Sequence, residues 1–149
     1  MQACSSEPSF DGIVTPLPTN GTGRLLVSIA VYEPFAFVRQ TVLNAMRFVA
    51  PDSAIVLHLS RTTDYNGTLR CVGTSSAGHL QWESSDTDAA FLVRQHEAGR
   101  IILNPCRSPT SNAGEWRGGI LKAHLLNYLH AARVGTAFDY VILQDPPTN

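Results

Sequence analysis

The chain has 149 residues, which is enough for one domain to bury an apolar core without disulfides or metals to reinforce it. Its 11 basic and 12 acidic residues leave a formal net charge of −1, and no run of Lys or Arg occurs, so the basic footprint of a nucleic-acid-binding protein is excluded. The N-terminal region has no apolar run long enough for a signal sequence or a membrane span.

Three cysteines, Cys4, Cys71 and Cys106, are too few and too scattered for a disulfide framework, and their spacing fits no zinc motif. We therefore predict three free thiols, with a Cys71–Cys106 bridge as the alternative. Two N-x-T sequons, at Asn20 and Asn66, matter only if an upstream segment directs the chain into the secretory pathway. The compartment stays open: the sequence as written predicts a soluble protein, and a Golgi or secretory one only with such an anchor.

The first 23 residues are rich in Pro, Gly, Ser and Thr, which predicts a flexible leader before one α/β domain at 24–149. Residues 24–32 (RLLVSIAVY) and 54–60 (AIVLHLS) are apolar, β-branched runs typical of buried strands. Between them, apolar residues recur at helical spacing from Phe35 to Val49. Strand, helix and strand with short links predict two parallel strands joined by a right-handed crossover.

The middle of the chain is less regular. Residues 61–77 predict a loop with room for a short strand over 68–72, and 86–98 predict a helix capped by Asp86, with Ala90, Val93 and Glu97 on one face. Residues 101–104 predict a third short strand.

The C-terminal part predicts a strong helix over 117–133, ended by Gly135, and a fourth buried strand over 138–143. The apolar stripe of this helix is predicted to consist of Leu121, Leu125, Tyr128, Leu129 and Ala132.

This order of elements predicts a three-layer α/β fold with a mostly parallel sheet. In such folds ligands bind beyond the carboxyl ends of the strands. The residues that follow the predicted strands, and that we expect at that edge, are Tyr32, Glu33, Ser60, Arg61, Asn104 and Asp145.

Two features of this edge carry candidate chemistry. Asp145 is suited to contact a ribose, a sugar hydroxyl or a metal ion. Pro146 and Pro147 follow it, so the second carboxylate that a metal site needs is missing, and we predict no metal. Trp116 and Arg117, followed by two glycines, start the strong helix, where backbone N–H groups and an Arg favour phosphate. The alternative is that Trp116 packs under the sheet.

Three histidines have simpler interpretations. His58, inside an apolar strand, is predicted to be a core residue. His124 and His130 are six residues apart, about 240° around a helix, so they cannot share a metal and are predicted to be surface or half-buried.

Three stretches together resemble the branching N-acetylglucosaminyltransferase and peptide O-xylosyltransferase family, which are inverting, metal-independent sugar-nucleotide transferases with a GT-A-type fold. AIVLHLSR (54–61) is similar to a strand ending in I-H-x-D, with Ser60 in place of Asp. EWRGGILKAHLLNYLHAA (115–132) resembles the start of an Ala-rich helix with Trp-Gly-Gly, and FDYVILQDPPTN (138–149) resembles a strand that leads into a Leu-Ser-Gly-x-Asp-x-Pro turn, although the Ser-Gly is missing.

The resemblance implies that the chain is the truncated nucleotide-sugar half of a glycosyltransferase, without the acceptor half and its catalytic base, so the catalytic residues stay unknown. The donor would be a UDP-sugar and the acceptor a hydroxyl on a glycan or protein. The nucleobase and the ribose would lie near Tyr32, Glu33, Ser60 and Arg61. The diphosphate would lie near Trp116 and Arg117, and the sugar near Asp145.

Two alternatives belong to other classes. The first is a non-catalytic α/β binding or interaction module, or an inactive fragment. The second is another doubly wound enzyme such as a methyltransferase, which is disfavoured because VYEPF (31–35), rather than a glycine-rich loop, follows the first strand.

Overall fold

The computed structural model describes residues 23–31, 34–59, 68–105 and 116–144, with backbone only for Val31 and residues 116–120. Apart from Gly23, the predicted leader lies outside these ranges, as do residues 61–67 of the predicted loop over 61–77. The elements in chain order are β1 (Leu25–Val31), α1 (Phe35–Phe48), β2 (Ala54–Leu59), β3 (Leu69–Thr74), β4 (Leu80–Ser84), α2 (Thr87–Glu97), β5 (Ile102–Leu103), α3 (Trp116–Arg133) and β6 (Tyr140–Gln144).

Four strands form a parallel sheet in the order β5-β2-β1-β6, so the predicted α/β fold with a mostly parallel sheet is confirmed. The chain first moves outward from β1 to β2 and β5, and then returns past β1 to place β6 on its other side. The order therefore reverses between β1 and β6, an arrangement compatible with a Rossmann-like fold.

One face of the sheet carries an apolar core built with α1, α2 and the β3–β4 hairpin. Alternate residues of β1 and β2 point to this face, as the period of two in a strand requires. The core includes Val27, Ile29, Ile55, Leu57 and Leu59 from the strands, Val38 and Val42 from α1, Leu92 from α2, and Leu69 and Trp82 from the hairpin.

The hairpin is only partly predicted by the sequence. The short strand expected over 68–72 is present as β3, but β4 was missed although Leu80 and Trp82 alternate with polar residues there. Cys71, in β3, is disulfide-bonded, so the prediction of three free thiols is wrong. Disulfides persist mainly in proteins of oxidising compartments.

The predicted N-cap of α2 is confirmed, because the Asp86 carboxylate accepts hydrogen bonds from the backbone N–H groups of Asp88 and Ala89, both at 3.0 Å. The predicted face of this helix is only partly right. Val93 is buried as predicted, but Glu97 is exposed, and the buried side also carries Ala89, Phe91 and Leu92, which offer more apolar surface.

The predicted apolar stripe of α3 is also wrong. Leu121 and Leu125 are 58% and 43% exposed, whereas the buried side carries Ala123, His124, Leu126, Asn127, His130 and Ala131. His124 and His130 are thus buried, not at the surface or half-buried as predicted. The helix turns polar side chains to the sheet because partners for several of them are present there.

The strand β6 is correctly predicted in position but not in burial. Tyr140, Val141, Ile142 and Leu143 are 63%, 36%, 46% and 56% exposed. Within the described residues β6 pairs with β1 alone, so it is the edge strand there and neither of its faces is covered.

Candidate functional site at the carboxyl edge of the sheet

The order of the strands reverses between β1 and β6, whose carboxyl ends lie next to each other. The two strands pair in parallel with Ile29 opposite Gln144, so both chain segments leave the sheet side by side. The end of β2 lies on the other side of β1, with Leu59 opposite Val31. In open α/β sheets, ligands bind beyond the carboxyl ends of the strands at such a reversal point.

Most of the predicted site residues follow these strand ends directly but lie outside the described residues: Tyr32, Glu33, Ser60, Arg61 and Asp145. What the structure brings together is the set of strand ends that precede them. The backbone of Trp116 and Arg117 forms the first turn of α3, as predicted for a helix start. Their side chains are not among those described, so the predicted packing of Trp116 stays untested.

The direction of α3 brings its first turn towards the same edge. Ala131, near its end, packs with Leu26 and Ala54 at the beginnings of β1 and β2. Asn127, one turn earlier, donates instead to the backbone carbonyl of Ile29, further along β1. The helix therefore runs antiparallel to the strands, and its N-terminus faces the carboxyl edge; the first N–H groups of a helix have no partner within the helix itself.

A buried polar network holds α3 on the sheet. The Asn127 amide nitrogen donates to Ser28 Oγ at 3.0 Å, to the Ile29 carbonyl at 3.1 Å and to the Val56 carbonyl at 3.4 Å. Its amide oxygen accepts from the Asn104 side chain at 3.0 Å. One side chain thus ties α3 to β1, to β2 and to the residue that follows β5.

His124 completes this network. Its Nδ1 lies 2.8 Å from Ser28 Oγ, and His124, Ser28, Asn127 and Asn104 are all buried. Buried polar groups are stable when they are hydrogen-bonded to one another, and such a network specifies one docking position for a helix. We name these four residues the α3 anchor.

Asn104 was predicted at the ligand-binding edge, and it does lie at the carboxyl end of β5. It is fully buried, however, and its backbone N–H donates to the Leu57 carbonyl at 3.0 Å. Its role is therefore to anchor α3 rather than to contact a ligand. His58 is likewise fully buried, which confirms the prediction of a core residue.

The rest of the α3 anchor was missed by sequence reasoning. The available signals were Ser28 within an apolar strand and Asn127 within a leucine-rich helix, two polar residues at positions where the periodicity of apolar residues is strongest.

Within the described ranges, no three His, Cys, Asp or Glu side chains are grouped closely enough to hold a metal ion. Over the same residues, none of the helices combines the length and hydropathy that a bilayer crossing requires. Compared with protein-family models, with curated proteins and with solved structures, the chain matches none of them.

Proposed function

We propose that the chain is a glycosyltransferase-like domain that binds a nucleoside-diphosphate sugar at the carboxyl edge between β1 and β6. The observation that carries the proposal is the reversal of strand order at this point, with the N-terminus of α3 directed to the same edge. A helix N-terminus favours a diphosphate through its dipole and its free N–H groups. Arg117 in the first turn of α3 adds a positive charge.

The reaction of the complete enzyme would be transfer of the sugar to a hydroxyl acceptor on a glycan or protein, with inversion. An external base would deprotonate the acceptor while cationic groups stabilise the leaving diphosphate. In this chain Arg117 would contact the diphosphate and Asp145 would contact the sugar hydroxyls. The nucleobase and the ribose would be contacted by Tyr32, Glu33, Ser60 and Arg61. No residue is assigned as the catalytic base.

The proposal is tested by isothermal titration of the purified chain with UDP. We expect binding in EDTA, and an at least tenfold weaker affinity in the double variant Arg61→Ala/Asp145→Ala, because charged contacts to a ligand each contribute more than about 1 kcal/mol. Arg70→Ala/Glu83→Ala is the matched control, since it removes one basic and one acidic group from an exposed ion pair of the hairpin.

Unchanged UDP affinity in the Arg61→Ala/Asp145→Ala variant would contradict the proposed site. Binding that requires manganese would show that a metal site at Asp145 was missed.

The alternative, a non-catalytic interaction module, is favoured by the exposure of β6. Four consecutive apolar side chains on an open sheet edge are typical of a strand that pairs with a further polypeptide. Turnover of any UDP-sugar by this chain would exclude this alternative, whereas UDP binding would not.

A further inference from the structure

A second feature lies at the opposite, amino edge of the sheet. There an open cavity of about 480 Å³ is lined by the beginnings of β1, β2 and β5, the turn of the hairpin, and the C-terminal ends of α2 and α3. Its volume is within the roughly 300–1,000 Å³ typical of small-molecule sites. We name it the amino-edge cavity.

The walls of this cavity are basic. Six of the side chains that line it are basic, and no Asp or Glu is among the described residues that do so. The six are Arg24, Arg100 and Arg133, and His79, His96 and His130. Three guanidinium groups stay charged at any physiological pH, so the cavity concentrates positive charge.

Two of these arginines have no carboxylate partner among the described residues. Among the described residues, ion pairs join Arg39 to Asp88 and Arg70 to Glu83, but neither Arg100 nor Arg133 pairs with a carboxylate there. Arg24 is partly engaged, since its Nε donates to the backbone carbonyl of Asp52 at 2.5 Å.

His130 adds an independent observation. This residue lines the cavity and is only 8% exposed. Its ring has no hydrogen-bond partner among the described residues. Burial, with Arg133 and His96 nearby, lowers the pKa of His130 to about 4, so its ring is neutral at pH 7. Its neutral ring therefore offers one N–H donor and one acceptor nitrogen to a molecule in the cavity.

His96, in contrast, has a structural role. Its Nδ1 accepts from the backbone N–H of Leu103, and its Nε2 lies 3.3 Å from the Leu80 carbonyl. It joins α2 to β5 and the hairpin, and so closes one wall of the cavity without needing a ligand.

Basic residues near helix C-termini also stabilise the helix dipole, which is the simpler explanation for Arg133. Three carbonyls in the last turn of each helix, however, already accept backbone hydrogen bonds. Gly99 and Gly135, with φ of 77° and 82°, end α2 and α3 in the same motif, in which backbone N–H groups of the following residues bond back to the last turn. Arg24, Arg100 and His79 belong to neither last turn, so the dipole does not account for them.

We propose that the amino-edge cavity binds a small molecule that carries a diphosphate group, with Arg100 and Arg133 contacting the phosphate oxygens and His130 donating a ring N–H. Guanidinium groups match phosphate oxygens in geometry and charge. This site is separate from the proposed carboxyl-edge site, because the two lie at opposite ends of the parallel strands.

The test is isothermal titration of the full chain with inorganic pyrophosphate and, separately, with UDP, at fixed physiological salt and in EDTA. We expect pyrophosphate to bind, and the variant Arg100→Gln/Arg133→Gln to bind it at least tenfold more weakly. The matched control is Arg47→Gln/Arg94→Gln, which removes the same charge from the last turns of α1 and α2 but leaves the cavity intact.

A second readout follows the His130 ring by NMR. Pyrophosphate should shift its ring signals in the wild-type protein and in the control variant Arg47→Gln/Arg94→Gln, but not in the cavity variant Arg100→Gln/Arg133→Gln. Equal affinity for pyrophosphate and UDP at this cavity would assign recognition to the diphosphate group alone, and tighter binding of UDP would extend it to a nucleotide.

Three results would overturn the inference: no pyrophosphate binding at millimolar concentration, an unchanged affinity in the cavity variant, or an equal loss in the control variant. If UDP binding is weakened by Arg61→Ala/Asp145→Ala but not by Arg100→Gln/Arg133→Gln, only this inference fails. The opposite pattern would remove the proposed carboxyl-edge site and leave the amino-edge cavity as the nucleotide site.

Discussion

The two faces of the sheet differ in their buried side chains: those on one face are almost all apolar, and those on the other include a hydrogen-bonded polar group. The face covered by α1, α2 and the hairpin is an apolar core that contains Ile29, Leu57 and Leu92. The face covered by α3 has a small apolar cluster and, next to it, the buried α3 anchor. The first face is stabilised mainly by burial of apolar area, which is not directional, whereas the second depends on hydrogen bonds that fix one position of the helix.

The largest effect is expected on the apolar face. Leu57 is fully buried in its core, so Leu57→Ala should lower the free energy of unfolding by about 2–5 kcal/mol, through lost burial and the cavity left behind. Urea denaturation measures this loss. Leu143→Ala, at a position 56% exposed, is the control and should change stability by less than about 0.5 kcal/mol. Equal losses in the two variants would show that β6 is covered in solution.

The hairpin on the apolar face is further held by the disulfide at Cys71. Its reduction should lower the free energy of unfolding by about 2–4 kcal/mol, because the unfolded chain gains freedom. Thermal denaturation with and without reductant measures the effect, and Cys71→Ser should reproduce it and show no further response to reductant. A peptide map under non-reducing conditions identifies the partner as Cys4 or Cys106. A Cys71→Ser variant still sensitive to reductant would contradict this assignment.

Acid should weaken the α3 side through His130. Its pKa is lowered from 6.5 to about 4 in the folded protein, so the unfolded chain takes up the proton first. The stability contributed by the neutral ring is therefore present above pH 6.5 and is lost as the pH falls to about 4, by roughly 3 kcal/mol. His96, whose pKa burial also lowers, acts in the same direction.

The contribution of His130 is isolated by comparing melting temperatures at pH 7 and pH 4.5. The difference should shrink in His130→Gln and stay unchanged in His79→Gln, which alters an exposed histidine of the same cavity. An undiminished acid sensitivity in His130→Gln would show that other groups cause the loss.

The apolar face was the more predictable one. The runs at 24–32 and 54–60 and the helix between them were predicted because burial of apolar area leaves a periodic pattern in the sequence. The polar partners on the other face produce no such periodic pattern, because Ser28 and Asn127 meet only after the chain has folded. The same reasoning explains the wrong face of α3: Leu121 and Leu125 form the most apolar stripe, but the hydrogen bonds of Asn127 orient the helix. The side chains that would test the carboxyl-edge site lie outside the described residues.

The smallest predicted effect tests directly whether the α3 anchor orients the helix. Asn127→Ala removes the donor to Ser28 and to the Ile29 and Val56 carbonyls, and leaves the Asn104 side chain without this acceptor. Unpaired buried polar groups cost about 1–3 kcal/mol, so we expect a loss of that size in urea denaturation.

Asn44→Ala, in which an exposed amide on α1 loses its bond from Gln40, is the matched control and should change stability very little. If Asn127 orients α3 rather than only stabilising the fold, Asn127→Ala should have a second effect. Amide hydrogen exchange should accelerate along α3 and β6, while the amides of α1 and α2 keep their protection. Uniform acceleration across both faces would mean that Asn127 contributes only to global stability. Confinement to α3 and β6 would instead show that the two faces of this sheet are held independently, and that the position of the α3 N-terminus at the carboxyl edge depends on one amide.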